Sequence, residues 1–177
     1  LSVSGYPPED LLFRASFYAK ASEALQRLAE ISARHPEVLV VAGYPLQRDG
    51  RCYNAAGVFQ AGKLAGEYLK QELPNYGVFD EVRYFSAGRE PLVMAVDDLR
   101  VGFAICEDFW FERAPAAARA AGADVLLALN ASPYHMNKRA SRFDVARDNV
   151  CRAGLPLVAC NLVGGQDELV FDGQSFA

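Results

Sequence analysis

The sequence predicts an α/β fold in which helices pack against a mixed sheet. Short apolar runs bounded by turn formers recur along the chain, for example over residues 37–43 and 124–129, as expected of buried strands. A segment with helical spacing of apolar residues runs from Leu11 to Ile31. Hairpin patterns occur alongside these strand–helix units, and the sheet must therefore contain antiparallel as well as parallel pairs.

The elements follow one another in a definite order. A long amphipathic helix is expected to begin at Pro7-Pro8-Glu9-Asp10 and to end at Pro36. Two hairpins are expected next, one joining residues 37–43 to 53–59 and one joining 91–96 to 99–106. The remaining elements are a helix over 114–121, a strand over 124–129, a helix over 139–153, a strand over 155–161 and a hairpin within 168–177.

Length and composition restrict the class of protein. A chain of 177 residues that is 51% hydrophobic can bury one sizeable core, which predicts a single domain over residues 1–177. The net charge is -4 and no basic stripe occurs, so nucleic-acid binding has no support. No apolar stretch approaches the ~20 residues that span a bilayer, so no membrane partner is expected. Four cysteines without a CxxC pair, and only two histidines, predict a reduced cytoplasmic protein without a metal site.

Both ends of the sequence look like interior segments. Leu1-Ser2-Val3 reads as the tail of an apolar strand that runs into a turn. Residues 168–177 read as a hairpin whose second strand stops almost as it starts. We therefore expect a domain that is truncated at both termini.

Cys106 stands where the apolar run 101–105 ends and a helix-like, alanine-rich segment begins. A thiol at the tip of a buried strand is held rigidly, and the N–H groups of the following turn can bind a developing oxyanion. This position favours a catalytic nucleophile. The local pattern also fits a buried structural cysteine, because free cysteine is among the most buried residue types.

A catalytic thiol needs a partner, because its ordinary pKa is about 8.5 and only the thiolate attacks well. His35 lies in a polar connection, and His135 lies in a loop without a pairing signature. A lysine can take this role, since an ammonium group lowers a neighbouring thiol's pKa and also binds an oxyanion. Lys70, in a segment that ends at Pro74, is the candidate, and a solvated lysine is the alternative.

Three motifs stand out: Lys70-x-x-Leu73-Pro74-Asn75-Tyr76-x-Val78-Phe79-Asp80-Glu81, Ile105-Cys106-Glu107-Asp108-x-Trp110 and Gly164-Gly165-Gln166-Asp167-Glu168-Leu169. They resemble motifs of the nitrilase superfamily, and most closely those of the glutamine amidotransferase domains of glutamine-dependent NAD synthetases. The resemblance runs in order from Gly5 to Phe176. It implies a four-layer αββα sandwich, truncated at both ends in this chain.

The resemblance also implies a Glu-Lys-Cys triad, with Lys70 and Cys106 as two of its members. It places Tyr76, Phe79, Trp110 (through its backbone) and Ser132 at positions associated with glutamine recognition. The aromatic residues could otherwise be ordinary core residues. Three cationic residues after Ser132, namely Lys138, Arg139 and Arg142, could approach a substrate carboxylate, although a solvated helix face fits them better.

The sequence departs from the family pattern at its first residue. The family glutamate normally lies directly before the position of Leu1, so the expected general base is outside the 177 residues. Glu9 does not replace it, because an acid after two prolines suits a helix start. Glu107 follows the nucleophile in the family pattern and is expected to orient the turn. We therefore expect residues 1–177 alone to be inactive.

The implied activity is glutamine hydrolysis that supplies ammonia to a synthetase domain, which amidates deamido-NAD with ATP and magnesium. Those cofactors belong to that other domain, and none is implied in this one. Two alternatives stay open: a free-standing amidase or carbamoylase of the same superfamily, and a noncatalytic assembly module in which Cys106 is inert. By analogy with the superfamily, the protein is expected to form a homo-oligomer.

Overall fold

A computed structural model describes residues 1–136 and 138–177, and its backbone separates into two units, Leu1–Arg89 and Glu90–Ala177. Each unit contains a main β-sheet and at least one long helix. The predicted mixture of helices with antiparallel and parallel strands is confirmed. Across these two described ranges, no helix is both long and apolar enough to cross a membrane.

The first unit is built on a three-stranded antiparallel sheet. Its elements are a 3₁₀ helix over Glu9–Phe13, helix α1 over Ala15–Arg34, strands β1 over Val40–Arg48, β2 over Arg51–Gln60 and β3 over Lys63–Leu69, and the short helix α2 over Glu81–Tyr84. Strand β2 lies between β1 and β3, and α1 packs on the sheet. Ala55, Ala56 and Val58 are fully buried, so both faces of the central strand are covered.

The predicted hairpin is confirmed in the first unit, with β1 and β2 joined at Asp49-Gly50. The prediction of a single long helix is wrong at the start of that helix. The backbone of Arg14 is extended, and this separates the 3₁₀ helix from α1. Strand β3 is not among the elements that the sequence predicted. This edge strand buries little beyond Tyr68, so it lacks the apolar pattern of a buried strand.

The second unit is built on a four-stranded mixed sheet in the order β4-β5-β6-β7. Its elements are β4 over Val93–Val96, β5 over Leu99–Ile105, a 3₁₀ helix over Cys106–Trp110, α3 over Arg113–Ala120, β6 over Val125–Asn130, α4 over Lys138–Ala153, β7 over Leu157–Asn161, β8 over Val163–Gln166 and β9 over Leu169–Asp172. β4 is antiparallel to β5, whereas β5, β6 and β7 are mutually parallel. The predicted hairpin and strand–helix units are confirmed here.

The core of the second unit is rich in alanine, which allows close approach of helix and sheet. Ala104, Ala118, Ala123 and Ala128 are almost completely buried. A Cβ atom built on Gly102 of β5 would lie 3.1 Å from the Cβ atoms of Ala118 and Ala123. Small side chains on both sides therefore hold α3 tightly against the strand that leads to Cys106.

The C-terminal hairpin lies earlier in the chain than expected. β9 pairs with β8, the strand that precedes it in the chain, and the hairpin therefore covers residues 163–172 rather than 168–177. Phe176 instead joins β7: the Ala159 N–H donates to the Phe176 carbonyl oxygen at 2.8 Å, and the Phe176 N–H donates to that of Ala159 at 3.0 Å. The apolar run 169–171 was therefore assigned to the wrong partner.

Candidate active-site residues

Cys106 lies at the carboxyl end of β5, which has a neighbouring strand on each side. Its backbone has a φ of 46°, in the left-handed region that non-glycine residues rarely adopt. Such a conformation costs about 1–3 kcal/mol and persists only where the surroundings enforce it. The thiol is half-buried. The fold therefore fixes Cys106 at the edge of the sheet where ligands of α/β proteins commonly bind.

Two buried side chains hold the turn that starts at Cys106. Asp108 is fully buried, and its Oδ2 accepts a hydrogen bond from the Ile105 N–H at 2.9 Å. The pairing of β4 with β5 ends at Gly102, so this carboxylate provides an acceptor that β4 does not. Asn149 of α4 donates from Nδ2 to the Phe109 carbonyl oxygen at 2.8 Å. The strained turn is thus tied down on both sides of the thiol.

Asp108→Ala is expected to disturb this turn. It leaves the Ile105 N–H without its acceptor, which should lower the free energy of unfolding by about 1–3 kcal/mol. Displacement of Cys106 by about 1 Å should lower kcat for a reaction of its thiol on the order of 10²-fold. Asp108→Asn retains an acceptor oxygen, so its free energy of unfolding and its kcat should both fall much less. Equal kcat in Asp108→Ala and the wild type would contradict this role of the carboxylate.

Ser132 lies at the same sheet edge as Cys106. β5 and β6 are parallel with Ile105 beside Leu129, so the residues that follow both strands emerge together. Ser132 is buried, and its backbone N–H donates to Asn161 Oδ1 at 3.0 Å. Asn130 Oδ1 is buried at this edge and has no hydrogen-bond partner among residues 1–136 and 138–177. The edge therefore offers an unused acceptor next to a fixed serine.

Trp110 ends the 3₁₀ helix that begins with the nucleophile candidate, and its side chain is half-buried. Lys138, the first described residue of α4, places Nζ 4.7 Å from the centre of the indole ring, a cation–π contact. The expectation of a solvated face holds for Arg139, which is exposed, but it is wrong for Arg142, which is only 3% exposed. Arg142 is buried because hydrogen-bond acceptors surround its guanidinium group.

Lys70 is buried in the first unit as one half of an ion pair. Its Nζ lies 2.6 Å from Glu81 Oε2, and the two side chains are only 2% and 3% exposed. The backbone is also fixed, because the Lys70 N–H donates to the Asn54 carbonyl oxygen at 2.9 Å. On the other side, the Gly88 N–H donates to the Lys70 carbonyl oxygen at 2.8 Å. The solvated lysine considered above is therefore excluded.

Gly88 is needed for this arrangement. A Cβ atom at this position would collide with the carbonyl oxygen and side chain of Leu69.

Glu81 is the first residue of α2, and sequence reasoning missed it because an acidic residue at a helix start suggests only a favourable dipole interaction. Asn54 Nδ2 lies 3.5 Å from Glu81 Oε1. The result is an ammonium group held rigidly by a paired carboxylate, as a buried charge requires.

Tyr76 and Phe79 lie close together on the loop that precedes α2. Their rings meet edge to face with centroids 5.5 Å apart. Tyr76 is 54% exposed, so it is not a core residue. The ring of Phe79 also lies 6.3 Å from that of the buried Tyr6. These aromatic rings offer a partly open apolar surface in the first unit.

The predicted site residues are divided between the two units. Lys70, Tyr76 and Phe79 belong to the first unit, and Cys106, Trp110 and Ser132 belong to the second. His35 and His135 are exposed, as is Glu9, whereas Glu107 is buried beside the nucleophile candidate. Over the described ranges, no group of three or more His, Cys, Asp or Glu side chains is arranged to hold a metal ion.

The cysteines differ in environment, and this predicts different reactivity. All four lie within the described ranges and none is joined to another by a disulfide, and Cys151 and Cys160 are exposed. Burial raises the pKa of Cys52, whose Sγ also lies 2.9 Å from Tyr18 Oη. A raised pKa means less thiolate at a given pH. At pH 8, Cys52 should therefore react with iodoacetamide at least about tenfold more slowly than Cys151, the gap narrowing as pH rises. Peptide mass spectrometry measures this, and equal rates would contradict it.

The family of this chain follows from its similarity to known proteins. The sequence matches the carbon-nitrogen hydrolase family over residues 1–177, and the chain belongs to that family. It is 44% identical over 177 residues to a glutamine-dependent NAD(+) synthetase of Xanthomonas campestris pv. campestris (strain 8004), a match that covers 99% of this chain and 32% of that protein. It is 45% identical over 177 residues to the Thermotoga maritima protein of the same name, and that match covers 99% of this chain and 30% of that protein. The chain spans about a third of the length of these curated relatives.

Solved structures agree with this assignment. A glutamine-dependent NAD+ synthetase from Acinetobacter baumannii, in complex with ADP, matches with a TM-score of 0.90 and 38% identity, over 97% of this chain and 32% of that one. A Nesterenkonia AN1 amidase from the nitrilase superfamily matches with a TM-score of 0.82 and 25% identity. That match covers 97% of this chain and 64% of the amidase chain. The predicted resemblance and the nitrilase-type α/β fold class are confirmed.

Proposed function

We propose that this chain is the glutamine-hydrolysing part of a glutamine-dependent NAD synthetase. The observation that carries the proposal is Cys106, held at positive φ by buried hydrogen bonds at the carboxyl end of β5. The names of the similar curated proteins supply the substrate, and the buried Lys70 supplies the cation that such chemistry needs.

The proposed reaction is an acyl transfer through a thioester. The Cys106 thiolate attacks the side-chain carboxamide carbon of glutamine, and a C–S bond forms as the carbonyl oxygen gains negative charge. The tetrahedral intermediate collapses, the C–N bond breaks, and the nitrogen leaves as ammonia after taking up a proton. Water then attacks the thioester carbon, so glutamate is released and the thiol is regenerated. No step needs a metal or an organic cofactor.

The cation and the base have separate roles in this reaction. Lys70 stabilises the oxyanion together with a backbone N–H of the turn after Cys106, and Glu81 keeps the ammonium group in place. The proposed general base is the family glutamate expected immediately before the position of Leu1. It takes the thiol proton first and later activates the hydrolytic water.

Four residues are proposed to contact the substrate. Tyr76 and Phe79 provide apolar surface for the methylene groups of glutamine. Trp110 contributes through its backbone, and Ser132 contributes its hydroxyl group. The ammonia passes to a synthetase domain that uses ATP and magnesium to amidate deamido-NAD, and neither cofactor is assigned to this chain. We also propose a cytoplasmic homo-oligomer that binds neither nucleic acid nor membrane.

The proposal is tested with the protein encoded by the complete gene. Its release of glutamate from glutamine is compared with its hydrolysis of asparagine, aliphatic amides and N-carbamoyl amino acids. We expect glutamine to have the highest kcat/KM, and glutamine or ammonia to support the amidation of deamido-NAD. A preference for another amide would favour the free-standing amidase or carbamoylase. Absence of hydrolysis of any of these amides would favour the noncatalytic assembly module.

The amidase alternative has one observation in its favour. The Nesterenkonia amidase shares the fold, and a structure of that enzyme shows the acetamide moiety of fluoroacetamide covalently attached at its active-site cysteine. This supports cysteine chemistry on the shared fold without fixing the amide. The sequence is 44–45% identical to two proteins named as glutamine-dependent NAD synthetases but only 25% identical to the amidase. This difference favours glutamine as the substrate.

A further inference from the structure

Arg142 is a buried cation whose hydrogen bonds converge on one short loop. It lies in α4, and its side chain is 3% exposed. Nε donates to Ser132 Oγ at 3.2 Å and Nη2 donates to the Ser132 carbonyl oxygen at 2.9 Å. Nη2 also reaches the carbonyl oxygen of Pro133 at 3.3 Å. One guanidinium group thus binds both the side chain and the backbone of the same serine.

The far side of the guanidinium is anchored to β9. Nη1 lies 3.0 Å from Asp172 Oδ1, and that carboxylate is also largely buried. The pairing removes the cost of an isolated buried charge and fixes the plane of the group. With these contacts made, Arg142 is not available to bind a substrate carboxylate. Its role must therefore act through the serine that it holds.

Asn161 completes the frame around Ser132. Its Oδ1 accepts the Ser132 N–H at 3.0 Å, and its Nδ2 donates to the Gly173 carbonyl oxygen at 2.7 Å. The N–H, carbonyl oxygen and Oγ of the serine are therefore all held by buried groups from α4 and β7. Ser132 follows β6 at the same sheet edge as Cys106.

The direction of the hydrogen bond to Oγ has a chemical consequence. An arginine can only donate, so Ser132 Oγ accepts from Nε and must direct its own proton elsewhere. Within residues 1–136 and 138–177, no described hydrogen bond uses that proton. A cation that donates to a hydroxyl oxygen also makes the hydroxyl a stronger donor. The frame therefore presents one oriented O–H donor at the edge of the sheet.

We propose that Arg142 is a positioning residue for substrate binding: it orients the Ser132 hydroxyl so that this donates to an oxygen atom of the substrate. This inference rests on the proposed function for the identity of the substrate as glutamine. It assigns Ser132 as the donor and Arg142 as the group that determines the direction of donation.

A double-mutant cycle on the product of the complete gene tests the proposal. Ser132→Ala should raise KM for glutamine about tenfold with kcat within about twofold, because one hydrogen bond to the substrate is lost. Arg142→Lys keeps the charge but loses the planar fork, and should raise KM by a similar factor. The double variant should be no worse than either single variant, since both remove the same contact. Arg147→Lys, an exposed arginine on the same helix, is the matched control and should leave KM unchanged.

The outcomes separate positioning from a purely structural role. A folded Arg142→Lys protein with unchanged KM would overturn the proposal, as would effects of the two substitutions that multiply. If Arg142→Lys does not fold, Asp172→Asn is the second variant, because it weakens the ion pair that anchors the guanidinium group of Arg142. Asp172→Asn should raise KM about threefold in the otherwise wild-type protein, but it should not change KM in the Ser132→Ala protein. If the wild type prefers another amide, the proposed substrate is wrong. The same cycle measured on that amide then decides the role of Arg142.

Discussion

Replacing Cys106 by alanine is expected to abolish glutamine hydrolysis while leaving ammonia-driven amidation of deamido-NAD intact. Loss of a covalent nucleophile commonly lowers kcat on the order of 10⁴-fold or more. The substitution should cost little stability, since the thiol is only half-buried and Asp108 and Asn149 hold the turn. Both activities are measured on the product of the complete gene, with glutamine or ammonium chloride as nitrogen source.

Cys151→Ala is the matched control, because it removes an exposed thiol elsewhere in the second unit. It should retain both activities. Loss of both activities in a folded Cys106→Ala protein would refute the division of labour, since the ammonia-dependent reaction needs no nucleophile from this chain. Full retention of glutamine hydrolysis in Cys106→Ala would show that the nucleophile is a different residue.

The second large effect concerns the buried pair of Lys70 and Glu81. Lys70→Met removes the cationic partner of the buried Glu81, and Glu81→Leu removes the anionic partner of the buried Lys70. Each single substitution should lower the free energy of unfolding by about 3–5 kcal/mol. Lys70→Met should also lower kcat for glutamine about 10²–10³-fold, because it removes the proposed donor to the oxyanion. Chemical denaturation and glutaminase assays measure the two effects separately.

The double variant separates the role of this pair in folding from its role in catalysis. Lys70→Met with Glu81→Leu replaces the ion pair by apolar side chains, which often restores stability to within about 1–2 kcal/mol. Its glutaminase activity should remain as low as that of Lys70→Met. The pair Arg147 and Asp144, 3.0 Å apart and exposed, is the control, since its removal should change stability by less than about 1 kcal/mol. A stable double variant with wild-type activity would remove Lys70 from the mechanism.

Much of the second unit follows from local sequence pattern. The strands that became β5, β6 and β7 are short apolar runs, and α3 and α4 lie between them with helical composition. These signals lie within single segments, so a sequence displays them directly. The position of Cys106 followed from the same pattern, because the end of an apolar run before a helical segment marks a strand end.

The groups that hold the site were missed because their partners are distant in sequence. Asn161 is 29 residues from Ser132, and Asp172 is 30 residues from Arg142. Arg142 was expected in solvent, since helical periodicity does not reveal acceptors contributed by other elements. Glu81 was similarly hidden, because an acidic residue at a helix start fits a surface role equally well. Long-range pairing of buried polar groups is set by the tertiary fold rather than by local pattern.

The central claim is that Cys106 is a nucleophile for glutamine, and covalent labelling tests it most directly. The product of the complete gene is treated with a diazo-ketone analogue of glutamine, with and without excess glutamine, and the adduct is located by peptide mass spectrometry. We predict one adduct, on Cys106, that glutamine prevents, while Cys52, Cys151 and Cys160 remain unmodified. No adduct on Cys106, or an adduct that glutamine does not block, would contradict the assignment of this residue and its substrate.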